Sequence, residues 1–597
     1  MSEYHFPRRD AQFVLNHVVG FSRICSSLKQ DELDSGLTDA ILDEAARFAH
    51  QVLAPLNQIG DQQGATITQL GVQETPGFKD AYHQFTESGW ASLAGEPEFG
   101  GQGLPRTLST VVMEIWQSAN MSFSLCSLLT QGAIEAVTVH ASDELKSIFL
   151  QNMVSGEWTA TMNLTEPDAG SDLAAIQTKA MPEADHYRIS GQKIFITWGD
   201  HQMTDNIVHL VLARLPDAPA GVRGISLFIV PKFIVNTDGS LGRRNDARAM
   251  SIEHKLGIHG SPTCTMSYGE NEGAIGYLVG EPNAGLACMF TMMNDARQGV
   301  GLQGVAISER AYQHALSYAK ERIQGTAVVN GGRDSPVRKD GRVAIIQHPD
   351  VRRMLMLMRS GSEAMRALAY VAASEADKLK AASEQIKPVH QARLDLYTPV
   401  VKGWMTELAQ ELTSLGVQIQ GGMGYIEETG AAQFFRDARI LPIYEGTTGI
   451  QGLDLVGRKI LMNKGESVNA LLNEIADEFK TLSVSEELAL VLKTAIDAEQ
   501  QVRDGVDWLL SHKDAASAVG VNLMMSLGYL CGAWLMLRSA AKALTLSVDE
   551  GEDHEFLTAK QVSARFYGEH FLPRVAMHLQ TMKTGSAAIM ALDVEQF

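Results

Sequence analysis

Near residue 156 the apolar periodicity of this chain changes from helical to β, and near residue 284 it changes back. Any fold must therefore set a contiguous β block between helical ones. Ahead of the block, apolar residues recur at helical spacing through 13–28, 37–53 and 107–150, with a Gly/Pro loop at 96–105. Inside it, His186–Thr197 alternates about Ser190-Gly191 and reads as a hairpin, while 207–213 and 224–230 are short β-rich runs, the second stopped by Pro231. Such strands continue to about 283 and suggest a small β-barrel or sandwich. Segments 310–322, 343–382 and 392–421 are periodic enough for a helical bundle, broken by a loop at 326–342. The sequence predicts a mostly α protein in four parts: an N-terminal helical domain (1–156), a middle β domain (157–283), a C-terminal four-helix bundle (284–463) and an additional helical domain (464–597).

The chemistry concentrates at 439–451, Arg-Ile-Leu-Pro-Ile-Tyr-Glu-Gly-Thr-Thr-Gly-Ile-Gln. Glu445 stands between an aromatic ring and a glycine, with Ile440, Leu441 and Ile443 leading in. A carboxylate set in an apolar wall loses hydration and becomes a stronger base, which proton removal from a weak carbon acid requires. Gly446 lets a ligand approach the backbone. Taken alone, the stretch reads more readily as a loop glutamate that accepts backbone hydrogen bonds.

A second loop, Leu164-Thr-Glu-Pro-Asp-Ala-Gly-Ser-Asp172, offers hydroxyls, small residues and backbone amides to a flat heterocycle or an anion. Gly299-Val-Gly-Leu-Gln-Gly304 matches the dinucleotide fingerprint, but the residues before it read as helix, so its glycines are read as helix packing. Gln418-Ile-Gln-Gly-Gly-Met-Gly-Tyr425 closes a long helix, its glycines suiting a left-handed cap. No His pattern suits a metal, and neither a nucleophile elbow nor a Walker loop is present.

A net charge of −20 without basic runs argues against nucleic acid. Five scattered cysteines without a C-x-x-C pair fit free thiols in a reducing compartment, and no secretory signal is evident, so a cytoplasmic location is expected. Residues 515–537 carry no charge, yet Asn522 and Ser526 interrupt them and Ala516, Gly520, Gly528 and Gly532 place small side chains on one face. This reads as a buried core helix, not an integral membrane segment.

Together, the 164–172 loop and Arg436-Asp437 with Ile443-Tyr-Glu-Gly-Thr-Thr448, flanking a β segment, resemble the two signature regions of the acyl-CoA dehydrogenases. Gly191-Gln-Lys-Ile-Phe-Ile-Thr197 and His254-Lys-Leu-Gly-Ile258 support the resemblance over roughly 40–460. Trp198-Gly-Asp-His201, Asn206–Arg214 and Phe566-Tyr567 with Leu572-Pro-Arg574 extend it to a subfamily of long bacterial enzymes that includes 3-methylmercaptopropionyl-CoA dehydrogenase. The resemblance implies FAD-dependent α,β-desaturation of an acyl-CoA, with Glu445 as base and hydride passing to the flavin. It implies cofactor contacts from Met162, Leu164, Thr165, Ser171, Phe195, Thr197, Gln418, Gly422 and Thr447, and from Arg322 to the FAD of a neighbouring subunit in a homodimer. Ser171, Asn294, Arg297, Tyr444 and Gly446 are implied at the substrate. The implied acyl group is a straight chain or 3-methylmercaptopropionyl, and the implied electron acceptor is electron-transferring flavoprotein. Gln324, Pro349 and Gly449 depart from the family pattern at flavin contacts. An acyl-CoA oxidase of the same fold, a non-catalytic flavin- or CoA-binding scaffold and a peripheral membrane protein are the alternatives.

Overall fold

Helices form wherever the apolar period holds, and several are bounded by glycines in positive-φ backbone, Gly156 closing Asp143–Ser155 and Gly430 opening Ala431–Ala438. The computed structural model describes residues 2–236, 238–326, 341–548 and 553–597. By backbone contacts it divides into two units, one of Met1–Ala46, Arg106–Ser118 and Val300–Phe597, the other of Arg47–Pro105 and Ala119–Gly299.

The second unit holds the β block, whose main sheet has eight strands and stands apart from a two-stranded pair, Phe233–Val235 with Leu241–Arg244. The strands of the main sheet run in the order Ala247–Ile252, Thr263–Tyr268, His186–Thr197, Ala274–Val279, Ile225–Pro231, Asn206–Arg214 and Trp158–Asn163, with Lys179–Glu183 paired to His186–Thr197. Pairing is antiparallel except between Trp158–Asn163 and Asn206–Arg214, and at a single Lys179/Arg214 bridge. The expected hairpin at Ser190-Gly191 is absent. His186–Thr197 is one strand, and Gly191 marks where its partner changes from Ala274–Val279 to Thr263–Tyr268. A glycine is needed there because a Cβ would lie 2.9 Å from the Thr178 Cα. The turn lies instead at Ala184-Asp185, between paired Glu183 and His186. One core joins helix Met121–His140, helix Asp143–Ser155, the sheet and the start of helix Gly285–Glu321 through Leu129, Phe149, Leu210 and Met292. The small hairpin Thr66–Thr68/Gly71–Gln73 lies where only helix was expected.

In the first unit the long helices Pro349–Ala381, Lys387–Gln420 and Ala516–Leu546 pack together. The Gly299–Gly304 stretch is helical throughout, and a Cβ on Gly304 would lie 2.8 Å from the Met405 carbonyl oxygen. Its glycines serve close helix packing and not a phosphate turn. The 326–342 loop falls mostly outside the described residues; its ends, Ile323–Thr326 and Arg342–Ala344, pair as antiparallel strands. Gly421 has φ +59 with ψ −137, so helix Lys387–Gln420 ends in positive φ but not in the expected left-handed cap. Among the described residues two helices, Met121–His140 and Lys513–Leu546, are long and apolar enough to cross a bilayer, and both are mostly buried within the protein.

Candidate active site

The loop bearing Glu445 follows helix Ala431–Ala438 and precedes helix Thr448–Leu453. Of the apolar residues before it, only Leu441 is in the core; Ile443 is exposed and Ile440 half-buried. Glu445 has φ +59 and Gly446 φ +88. Two consecutive left-handed residues reverse the chain, and glycine suits the second, but a glutamate there stores about 1–3 kcal/mol of strain. The surroundings hold that strain in place. Gln451, wholly buried, donates from Nε2 to the Glu445 and Gly446 carbonyl oxygens, each at 3.2 Å. The Thr448 N–H donates to the Pro442 carbonyl at 3.0 Å, and its hydroxyl donates to Glu407. Thr447 caps the next helix, its Oγ1 accepting the Ile450 N–H at 3.3 Å, which leaves its hydroxyl hydrogen for another acceptor. The Tyr444 hydroxyl donates to Gln303 Oε1. Burial pushes the Tyr444 phenol well above its ordinary range and the Glu445 charge adds to this, so the ring stays neutral. The base candidate is thus a carboxylate on a preset turn.

In the β unit a bulge aims the candidate side chains. Between the paired positions Ile196/Cys264 and Lys193/Met266, His186–Thr197 carries one residue more than Thr263–Tyr268. Phe195 takes up the extra length at φ +59 and is left 59% exposed. Freed from the ladder, the Ile194 N–H donates to the Thr165 carbonyl at 2.9 Å. The Thr161 hydroxyl donates to the Thr197 carbonyl at 2.7 Å. Lys193, fully buried, donates from Nζ to the Leu164 carbonyl at 2.9 Å and to Glu166 Oε1 at 2.8 Å. Glu166 also accepts the N–H groups of Gln177 and Thr178 and the Thr178 hydroxyl. Burial brings the Lys193 ammonium down to about 8. Burial also works to raise the Glu166 carboxyl, but the Lys193 charge and these hydrogen bonds outweigh it and leave it below its ordinary value. The ion pair therefore clips the 164–172 loop to the strand carrying Phe195 and Thr197.

These bonds bring Met162, Leu164, Thr165, Phe195 and Thr197 together. Leu164 sends its side chain into the core, so only its backbone is available to a ligand. Ser171 is exposed on the outer part of the loop. Asn294 and Arg297 lie one turn apart on helix Gly285–Glu321, with Arg297 Nη1 donating to Asn294 Oδ1 at 3.3 Å and Arg297 only 3% exposed. In the other unit Gln418, Gly421 and Gly422 are exposed, and a Cβ on Gly422 would meet nothing within 4 Å. Arg322 is exposed just past its helix and apart in sequence from both loops. Lys193, Glu166, Gln303 and Gln451 are functional candidates that sequence reasoning passed over, although each sits inside a stretch it quoted. Among the described residues no His/Cys/Asp/Glu cluster could hold a metal.

Four family models match the chain: "Acyl-CoA dehydrogenase, N-terminal domain" at 37–157, "middle domain" at 161–270, "C-terminal domain" at 333–461 and "Acetyl-CoA dehydrogenase C-terminal like" at 471–593. The 3-methylmercaptopropionyl-CoA dehydrogenase of Ruegeria pomeroyi is 44% identical over 98% of this chain and 99% of its own length. A butyryl-CoA dehydrogenase of Syntrophomonas wolfei is 33% identical over 98% of both chains. Among solved structures, an acyl-CoA dehydrogenase of Bacillus anthracis complexed with FAD superposes with a TM-score of 0.74 at 21% identity, covering 95% of this chain and 90% of that one.

Proposed function

The chain belongs to the acyl-CoA dehydrogenase family, and from that premise we propose that it desaturates a short acyl-CoA thioester with Glu445 as the base. It is an FAD-dependent oxidoreductase acting on acyl-CoA. The side chains fit a flavin. The hydroxyls of Thr165, Ser171 and Thr197 make no hydrogen bond among the described residues, Phe195 presents an exposed ring, and Gly422 leaves its backbone open. When bound, FAD supplies the acceptor for the β-hydrogen, which leaves as hydride.

The observation that carries the reading is the preset turn at Glu445, held by Gln451 through two carbonyl oxygens. The α C–H bond breaks, its electron pair stays on the thioester as an enolate, and the proton passes to the Glu445 carboxylate. A base whose backbone is set before substrate arrives loses less on binding, which favours the transition state. The Glu445 N–H is the proposed donor to the developing enolate oxygen. Tyr444 and Gly446 shape the wall beside it, Asn294 and Arg297 flank the thioester, and Ser171 lies at the CoA moiety. Met162, Leu164, Thr165, Phe195, Thr197, Gln418, Gly422 and Thr447 line the flavin.

The two relatives described above act, by name, on short acyl groups, one of them bearing a thioether. The proposed substrates are therefore 3-methylmercaptopropionyl-CoA and short straight-chain acyl-CoAs. A homodimer in which Arg322 reaches the partner's FAD, electron-transferring flavoprotein as acceptor and a cytoplasmic location complete the proposal. Five free, buried cysteines support the location.

Anaerobic addition of an acyl-CoA panel to the purified flavoprotein tests the reading. The flavin band bleaches with 3-methylmercaptopropionyl-CoA and butyryl-CoA, weakly with sixteen-carbon chains, and recovers slowly in air. Bleaching by no thioester overturns the activity; fast recovery in air makes it an oxidase. The loop clip gives a second expected result. Lys193→Met strands Glu166 as a buried charge, so FAD affinity falls at least ~10-fold, read by flavin fluorescence on the apoprotein. Unchanged affinity removes the 164–172 loop from the cofactor site.

A further inference from the structure

Glu445 is followed at once by helix Thr448–Leu453, whose position sets where the turn stands. That helix meets Ala516–Leu546, from the additional C-terminal segment, with glycine against glycine at Gly452 and Gly520. A Cβ on Gly520 would lie 2.7 Å from the Gly452 carbonyl oxygen, and one on Gly452 would lie 2.8 Å from the Val521 nitrogen. Backbone therefore rests on backbone, and neither residue can gain a methyl without the helices parting. Gly452 directly follows Gln451, the buried side chain that grips the Glu445 and Gly446 carbonyls. The Gln451 Cβ in turn stands 3.5 Å from where a Cβ on Gly403 would be, and Met524 of the C-terminal helix fills the same spot. Further along that helix Gly528 packs on Trp404, which fixes the helix to the bundle independently of the Gly452 contact, and Gly532 packs on Tyr567 of helix His554–His570.

We propose that the C-terminal segment is a positioning element for proton abstraction. Gly520, pressed on Gly452, sets Gln451 and through it the carbonyl of Glu445. The inference rests on Glu445 being the base. A general base must come within hydrogen-bond reach of the proton it takes, and a displacement of about 1 Å can cost about 100-fold in rate. The constraint at Gly520 differs in kind from those at Gly528 and Gly532, because its neighbour is the backbone of Gly452 and theirs are the side chains of Trp404 and Tyr567. The carbonyl that Gly520 braces belongs to the same residue as the reacting carboxylate.

The test isolates the proton step. A 3-thia-acyl-CoA carries sulfur at the β position and cannot give up a hydride, but its α-protons exchange. With the FAD-loaded full chain in D2O, the base takes an α-proton and solvent returns a deuteron, which mass spectrometry counts. Gly520→Ala lowers this exchange about 10- to 100-fold while FAD content and thioester binding hold. Gly528→Ala, on the same helix as Gly520, crowds Trp404 of helix Lys387–Gln420 and lowers the melting temperature at least as much, with exchange within about twofold of the parent. Equal losses in both variants, or none in Gly520→Ala, overturn the inference. If Gly520→Ala does not fold, Val521→Ala removes the side chain beside Gly452 without crowding it. Slower exchange than in Gly528→Ala then supports the inference, and an equal rate overturns it. Glu445→Gln separates the two readings. If it exchanges at the parent rate, the base assignment fails; if it is silent and the two glycine variants match, only the role of Gly520 fails.

Discussion

Replacing Glu445 with Gln lowers the rate of flavin bleaching by butyryl-CoA about 10²- to 10⁴-fold, with FAD still bound and the thioester still taken up. The amide has nearly the shape of the carboxylate and sits on the same backbone. The turn is held by main-chain carbonyls, through Gln451, and by Thr448, so none of those bonds is lost. Only basicity goes. A fall in kcat without a matching rise in KM marks an interaction made at the transition state, whereas a rise in KM alone would mark a binding residue. Turnover at the parent rate removes Glu445 as base and leaves this turn strained without a catalytic reason.

Replacing Arg366 with Met destabilises the helical unit by about 3–5 kcal/mol, because it strands buried carboxylates. Arg366 is 1% exposed, with Nη1 2.6 Å from Asp10 Oδ2, Nη2 2.9 Å from Glu309 Oε2 and Nε 2.8 Å from Glu114 Oε1. Lys560, equally buried, bridges Asp10 and Glu363 at 2.6 and 2.9 Å. Lys560→Met costs less, since Asp10 keeps Arg366 and Glu363 keeps Arg359 at 2.8 Å. The order, Arg366→Met below Lys560→Met below parent, is read from the midpoint of the first transition in urea, as a chain of this length need not unfold in one step. The reverse order would show that Lys560 holds the network.

Acid probes the same network. Burial alone would raise the Asp10 carboxyl, but the charges of Lys560 and Arg366 hold it near 2 against an ordinary 3.8. A carboxyl lowered on folding stabilises above its unfolded value, and that contribution is lost as pH falls from about 4 through about 2. Glu114 runs the other way. Burial raises it despite Arg366, so its term is fully present at low pH and declines as pH rises through its folded value.

Much of this protein is local in origin. The change of period near 156 and 284, the acidic residue before Gly446, and the hydroxyl-rich 164–172 loop depend on neighbours within a few positions. The small residues of 516–532 follow helical spacing, and Gly520, Gly528 and Gly532 pack closely, on Gly452, Trp404 and Tyr567. The uncharged stretch becomes a core helix because bundle side chains cover it, which its spacing already suggested. One misreading was also local in kind. Ser190-Gly191 has the composition of a turn, yet the approach of Thr178 demands a glycine inside a continuous strand, and composition cannot tell the two apart.

What the tertiary structure alone decided is which group meets which across long stretches of chain. Lys193 and Glu166 lie in separate quoted motifs, and nothing in either names the other. The bulge that turns Phe195 outward is a mismatch between two strands, so it exists only in their pairing. Gln451 ends a familiar-looking stretch, but its grip on Glu445 depends on a turn that returns the chain upon itself. Gly520 reaches the base through Gly452, 68 residues earlier, by a contact that involves no side chain. The sequence alone determined the reacting groups, because reactivity belongs to residue type and near neighbours. Their alignment waited on the fold, because a hydrogen bond or a close packing is a property of two surfaces and is written in neither one.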